Sequence, residues 1–297
     1  MIRTSLRLSA ALGFLFCARF LPAAETDSAW KSLLDDKLSA WEVWIGVPHV
    51  GVTGLPEDTP MSPDGHKGTP LGLNNDPKHV FSVITEEGEP VLHISGEIFG
   101  GLTSLDSFSN YHLRVQFKWG QLKWAPRLHD QRDNGILYHC TGPHGAFWNA
   151  WKRCLEFQVQ EKDMGDLFLL SGTKADVAAT LDGKRWFYDP AGQMTSFGAG
   201  THNGNPSHFK GDFEKPNGEW NTLELYTLGR TSVHVVNGHV VMVVHNAANV
   251  TGSEHTETPL EGGQLQIQSE GAEAYYRRIE IQPITAFPEE IKKNAGL

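Results

Sequence analysis

From about Ala29 to the end of the chain, short runs of alternating apolar and polar residues recur, separated by Gly, Pro and Asn. In residues 111–118, Leu113, Val115 and Phe117 fall on one face, and His112, Arg114, Gln116 and Lys118 on the other, the period of two that marks a half-buried strand. Residues 155–160 set Leu155, Phe157 and Val159 against Glu156, Gln158 and Gln160. Residues 264–270 set Leu265 and Ile267 against Gln264, Gln266, Gln268 and Glu270. The runs 232–236 and 239–244 flank Asn237-Gly238, the pair that best tolerates the positive φ angles of a tight hairpin turn. Only 27–34 and 289–293 read as helical. Strand after strand with few short helices predicts an all-β sandwich or jelly roll of two antiparallel sheets. No repeat or low-complexity linker divides residues 25–297, which read as a single domain. Residues 46–79 and 180–219, rich in Gly, Pro and His, read as long loops.

The first 24 residues break this pattern. Arg3 and Arg7 precede an apolar stretch from Leu8 to Phe16, and Pro22-Ala23-Ala24 offers small residues before a cleavage point, as in an export signal. The expected location is therefore periplasmic or extracellular, and no stretch has the ~18 apolar residues of a membrane span. Loss of the three arginines in the signal moves the net charge from −10 to about −13. So acidic a surface argues against nucleic acid or anionic membrane as a partner. Cys17 leaves with the signal, and Cys140 and Cys154 remain. In an oxidising compartment they are a disulfide candidate that would close a loop of about 15 residues, worth up to ~3 kcal/mol. Two separate buried thiols are the alternative.

The alternation also places chemistry. Apolar Leu155, Phe157 and Val159 must face a core, so Glu156 and Gln158 lie on the other side, as do Gln268 and Glu270 on the later strand. Gln and Glu are poor strand formers, so β-propensity does not account for them. A solvated sheet face is one reading. The other is a working surface, since planar amides and carboxylates suit the paired donors and acceptors of sugar hydroxyls. Nine tryptophans fit either a large core or sugar-stacking surfaces. Alternation alone does not make the two strands neighbours.

The segments Arg132-Asp133-Asn134-Gly135-Ile136-Leu137-Tyr138-His139, Glu156-Phe157-Gln158-Val159-Gln160 and Met164-Gly165-Asp166, with Gly263 to Glu273 and Tyr276-Arg277-Arg278-Ile279, resemble the 3-keto-disaccharide hydrolase domain family over residues 30–283. The resemblance implies a concanavalin-like jelly roll that brings the two polar strands together. It also implies an enzyme that cleaves 3-keto glycosides by elimination and hydration. A ketone at C3 acidifies the C2 proton, so the reaction needs a base, a polariser for the enolate and a proton for the leaving oxygen. A divalent metal ion is one candidate polariser. Carried onto this chain, the resemblance makes Glu156 the base or a metal ligand and Glu270 the complementary acid. His139 becomes an acid or a metal ligand. Gln158, Gln268, Asn134 and Trp148 become substrate contacts, and Arg277 orients a carboxylate or the ketone. Many members carry Ser where this chain has Gly135, which removes a hydroxyl contact. A non-catalytic carbohydrate-binding module of the same fold is the main alternative. A third reading takes Glu161 to Asp166 as a variant of the Glu-x-Asp-x-x-Glu strand of β-glucanases, with its closely spaced acids.

Overall fold

The structure, a computed structural model, describes residues 29–204 and 207–297; the expected export signal and Cys17 lie outside them. Two antiparallel sheets form a concanavalin-like jelly-roll sandwich. The smaller has seven strands in the order Leu167–Leu170, Arg153–Gln158, Gly135–Thr141, Gly263–Ser269, Gly100–Phe108, Trp41–Ile45 and Gly72–Leu73. The larger is centred on Tyr111–Lys123, held between Asn221–Leu228 and Ala272–Pro283.

Alternation explains the space between the sheets. Leu155, Phe157, Ile136, Tyr138, Leu265 and Ile267 of the smaller sheet meet Leu113, Val115, Phe117, Val233 and Tyr276 of the larger in one apolar core. Two buried polar bridges cross this layer. The Tyr138 hydroxyl hydrogen-bonds Ser232 Oγ at 2.7 Å and His234 Nε2 at 3.1 Å, while His234 Nδ1 reaches the Gly165 carbonyl at 3.0 Å. Burial pushes the His234 imidazole down to about 4, so it stays neutral. Its ring lies flat on Phe157, centroids 4.5 Å apart. The hairpin at Asn237-Gly238 forms as its sequence predicts, with φ of 50° and 83°.

Several expectations are corrected. The described part of 27–34 is not helical: Lys31–Ser32 pairs as an edge strand with Glu280 and Ile281, and Leu33 and Leu34 turn into the core. So short a helix is marginal by itself, and tertiary pairing overrides it. The C-terminal helix does form, over Glu289–Ala295. Residues 180–219 are not loop throughout, because Arg185–Tyr188 and Gln193–Gly198 pair with Thr173–Asp182. Cys140 and Cys154 are free buried thiols, not a disulfide. Thr141↔Arg153 closes a bulged register, and the thiols hydrogen-bond each other inside an apolar cluster. Among the described residues no helix is long and apolar enough to cross a membrane.

Phe157 is fully buried at the centre of the sandwich. Its replacement by Ala should cost about 3–5 kcal/mol in urea unfolding, whereas exposed Leu181→Ala should stay within about 0.5 kcal/mol.

Candidate active site

The outer face of the smaller sheet carries the polar ladders, but their two strands are not neighbours. Gly135–Thr141 lies between them: Gly135 pairs with Gln158 on one side, and Ile136 with Ile267 on the other. The two ladders meet because Gly135 has no side chain. A Cβ there would stand 2.3 Å from Glu156 Oε1 and 2.6 Å from Gln268 Oε1. Gly135 therefore does more than remove a hydroxyl contact. It clears the space in which a carboxyl from one strand and an amide from another lie together.

Glu270 follows the end of its strand and pairs through the backbone with Asp133. Arg127 reaches into this bridge with both arms, Nη2 to Asp133 Oδ2 at 2.6 Å and Nη1 to Glu270 Oε1 at 2.8 Å. Gln160 Nε2 donates to Asp133 Oδ2 at 2.8 Å. Asp133, Glu156 and Glu270 are each no more than 5% exposed, and they share one guanidinium. Burial raises all three carboxyls. Asp133 is pushed up to about 6, with Arg127, Gln160 and a backbone N–H opposing. Glu156 and Glu270 rise well above the usual range. For both, the Asp133 charge adds to burial; Arg127 opposes it, as does a Gln268 hydrogen bond at Glu156. Asp133 Oδ1 and Gln268 Oε1 are buried without a partner in the protein. At neutral pH such a cluster holds protons and negative charge side by side, which general acid–base work requires.

The other expected site residues lie elsewhere or do other work. Gln158 lies in the outer row, and its Oε1 accepts the Val159 N–H at 3.0 Å. Asn134 is fully buried. Its Nδ2 donates to the Gln268 carbonyl at 2.7 Å, and its Oδ1 accepts the Tyr276 hydroxyl at 2.6 Å and the Gly135 N–H at 3.0 Å. It braces the site from beneath and, fully buried, is closed to substrate. Arg277 is on the larger sheet, over the Trp220 ring, bonded to Gln116 and Glu87; the arginine that orients the site's carboxyls is Arg127. His139 sits in a bulge with φ of 52° that turns its ring against Tyr111 and Tyr138. Buried, with neither nitrogen partnered and its pKa pushed down to about 4, it does not join Glu156 as an acid or a metal ligand. Glu161 to Asp166 form the turn after Gln158, so no glucanase-like strand of acids exists. Asp133 and Arg127 were missed. Asp133 shares a face with Gly135 by simple alternation, but Arg127 lies in a stretch without pattern.

The ligand atoms of Asp163, Asp166 and His208 lie within 4.8 Å of one another, the one such trio among the described residues. Both Asp166 oxygens are engaged, Oδ2 with His208 Nδ1 at 2.5 Å and Oδ1 with the Phe209 N–H at 2.6 Å. Asp166 is thus already committed to His208 and Phe209 within the protein. A groove of about 660 Å³ opens beside Lys118, Glu273 and Tyr275 of the larger sheet and Arg132, the neighbour of Asp133 in the chain. Its charges pair with Glu86, Glu161 and His93 instead of standing free.

Residues 142–152 fold over part of the same outer face. Phe147, Ala150 and Trp151 pack on Phe99, Leu137, Cys154 and Leu170 as a second small core. Trp151 Nε1 donates to the Gly100 carbonyl at 2.9 Å, and the Lys152 N–H to Gln266 Oε1 at 3.0 Å. Trp148 stays on the outside of this cover.

Comparison with known proteins gives one family: the profile of the 3-keto-alpha-glucoside-1,2-lyase-like domain matches residues 29–282. The search of curated proteins returned no match. Among solved structures, the chain is similar to a protein from Parabacteroides distasonis provisionally designated a glycosyl hydrolase (14% identity, 86% of this chain and 100% of that one, TM-score 0.44). It is also similar to the carbohydrate binding module CBM66 from Bacillus subtilis (10%, 68% and 91%, TM-score 0.40). A third is a non-specific endo-beta-1,3(4)-glucanase (12%, 68% and 74%, TM-score 0.37).

The raised carboxyls make stability depend on pH in a defined direction. Unfolded, they ionise near pH 4; folded, they keep their protons to higher pH. Their contribution is thus fully present below about pH 4 and is lost as pH rises through 6 and beyond. Glu156→Gln, which mimics the protonated form, should leave the melting temperature unchanged near pH 4 and raise it by about 2–6 °C at pH 8. A difference that stayed constant across this range would mean that Glu156 carries no retained proton.

Proposed function

The chain belongs to the 3-keto-alpha-glucoside-1,2-lyase-like domain family, and from that premise we propose that it cleaves 3-keto glycosides by elimination followed by hydration. One observation carries the reading: Asp133, Glu156 and Glu270 are buried around the two-armed Arg127, at a point where Gly135 lets the Glu156 carboxyl and the Gln268 amide lie together. Glu156 takes the C2 proton through its minor ionised form, whose scarcity at neutral pH is the counterpart of its strength as a base. The electrons pass to the C3 oxygen, where the guanidinium of Arg127 stabilises the enolate. As the C3 carbonyl re-forms, the C1–O bond breaks and protonated Glu270 delivers its proton to the leaving oxygen. Water then adds at C1, Glu270 takes up its proton, and Glu156 returns a proton to C2. Gln158 and Gln268 bind ring hydroxyls. Export, as expected from residues 1–24, belongs to the same proposal, so the keto sugar would be met outside the cytoplasm.

The test offers the mature protein a 3-keto disaccharide and its unoxidised parent in deuterated water, with and without a chelator. Only the keto sugar should be cleaved, with solvent deuterium at C2 of the product, and Glu156→Gln should lower kcat by about 10²–10⁴-fold. Equal cleavage of both sugars would remove the keto-dependent mechanism. Binding without cleavage would favour the carbohydrate-binding module. Activity lost to the chelator would transfer the polarising role from Arg127 to a divalent ion.

A further inference from the structure

Among the described residues, Lys152 is the one lysine or arginine that is buried, at 6% exposure. Arg127, Arg132, Lys118 and Arg277, all part-buried, each reach a carboxylate. Lys152 reaches none, and its ammonium makes no hydrogen bond to another described residue. Lysine stems commonly pack on apolar surface while the head stays in water, yet this head has little water around it. A charge so placed is costly until an opposite one arrives.

Lys152 ends the segment that covers part of the outer face of the smaller sheet. Its N–H donates to Gln266 Oε1 at 3.0 Å, and Gln266 is two residues from Gln268 on the same strand and face, about 7 Å away. Across the sheet from Gln266 lie Thr103 and then Glu42. The Glu42 carboxylate accepts the His144 Nε2–H at 3.0 Å, and the His144 ring stacks on Trp44, centroids 5.3 Å apart. Glu42 is therefore engaged with His144 and does not pair with Lys152. Burial and then the Lys152 charge push the His144 imidazole down, with Glu42 opposing, so the ring is neutral and Lys152 is near enough to be felt. With the ring proton on Nε2, Nδ1 is an acceptor, and it is buried without a partner. A lone cation and a lone acceptor thus stand together beside the Gln268 row. They match a sugar that carries an anionic group next to a hydroxyl.

We propose that Lys152 and His144 form a subsite for an acidic substituent of the glycoside. Lys152 binds a carboxylate or sulfate on the sugar, and His144 Nδ1 accepts the hydrogen of a neighbouring hydroxyl, so the site favours acidic glycosides over neutral ones. The proposal rests on the function proposed above, but its test needs no turnover. Calorimetric titration compares a neutral glucosyl disaccharide with its glucuronyl counterpart and with its 6-sulfate. At least one acid should bind the wild-type protein about tenfold more tightly than the neutral sugar, and the tighter of the two identifies the group. Lys152→Met, which keeps the apolar stem, should abolish this preference and leave the neutral sugar within about twofold; Lys152→Arg should retain most of it. Acids that bind the wild type no better than the neutral sugar, or fail to bind, overturn the subsite, and that comparison needs no variant. A preference that survives Lys152→Met, or an equal loss of all three sugars, overturns it too. Cleavage of the 3-keto forms is read separately. A Lys152-dependent preference for an acid without cleavage supports the subsite and defeats the catalytic reading alone.

Discussion

The structure depends on one electrostatic constraint: three buried carboxyls gathered about a single guanidinium. Taking a carboxylate out of water costs several kcal/mol unless an opposite charge or hydrogen bonds replace the solvent. Arg127 supplies this to Asp133 and Glu270 through a two-armed contact, and Gln160 adds a donor to Asp133. Glu156 has no direct ion pair and relies on retained protons and on Gln268. The arrangement destabilises the fold at neutral pH. Stability given up locally is common where a protein keeps reactive groups in readiness.

The surrounding fold can bear this because it is anchored on both sides of the smaller sheet. Below lie the apolar core and the Tyr138–Ser232–His234 bridge; Asn134 ties the Gln268 backbone to Tyr276 of the larger sheet. Above, residues 142–152 cover part of the outer face with a second apolar cluster. The carboxyls are themselves buried beside this framework, which limits their motion and keeps water scarce around them. Both conditions strengthen local electrostatics.

Much of the framework was legible from alternation alone. The faces of 111–118, 155–160 and 264–270 and the Asn237-Gly238 turn followed from local periodicity, because inward-facing Leu113, Phe157 and Ile267 leave the intervening residues one direction to point. Periodicity could not report what covers a face, so Glu156 gave no sign in sequence of being buried. Bulges defeat the method as well: the one at His139 reverses a side chain that simple counting would place outward. Arg127 and Arg277 show the same limit for charged residues. Arg127 reaches Glu270 from a turn, and Arg277 takes Gln116, the partner directly opposite it in the sheet; neither partner follows from local sequence.

Gly135 has a consequence for how such a site is calibrated. Its neighbours come from two strands that it separates, so the gap between the Glu156 carboxyl and the Gln268 amide is fixed by backbone hydrogen bonding across three strands. The sheet spacing acts as a ruler, and no hinge or lid is needed to set the distance. Precision of this kind belongs to the scaffold. It is inherited intact wherever the sheet folds, while the loops around it remain free to diverge toward different sugars.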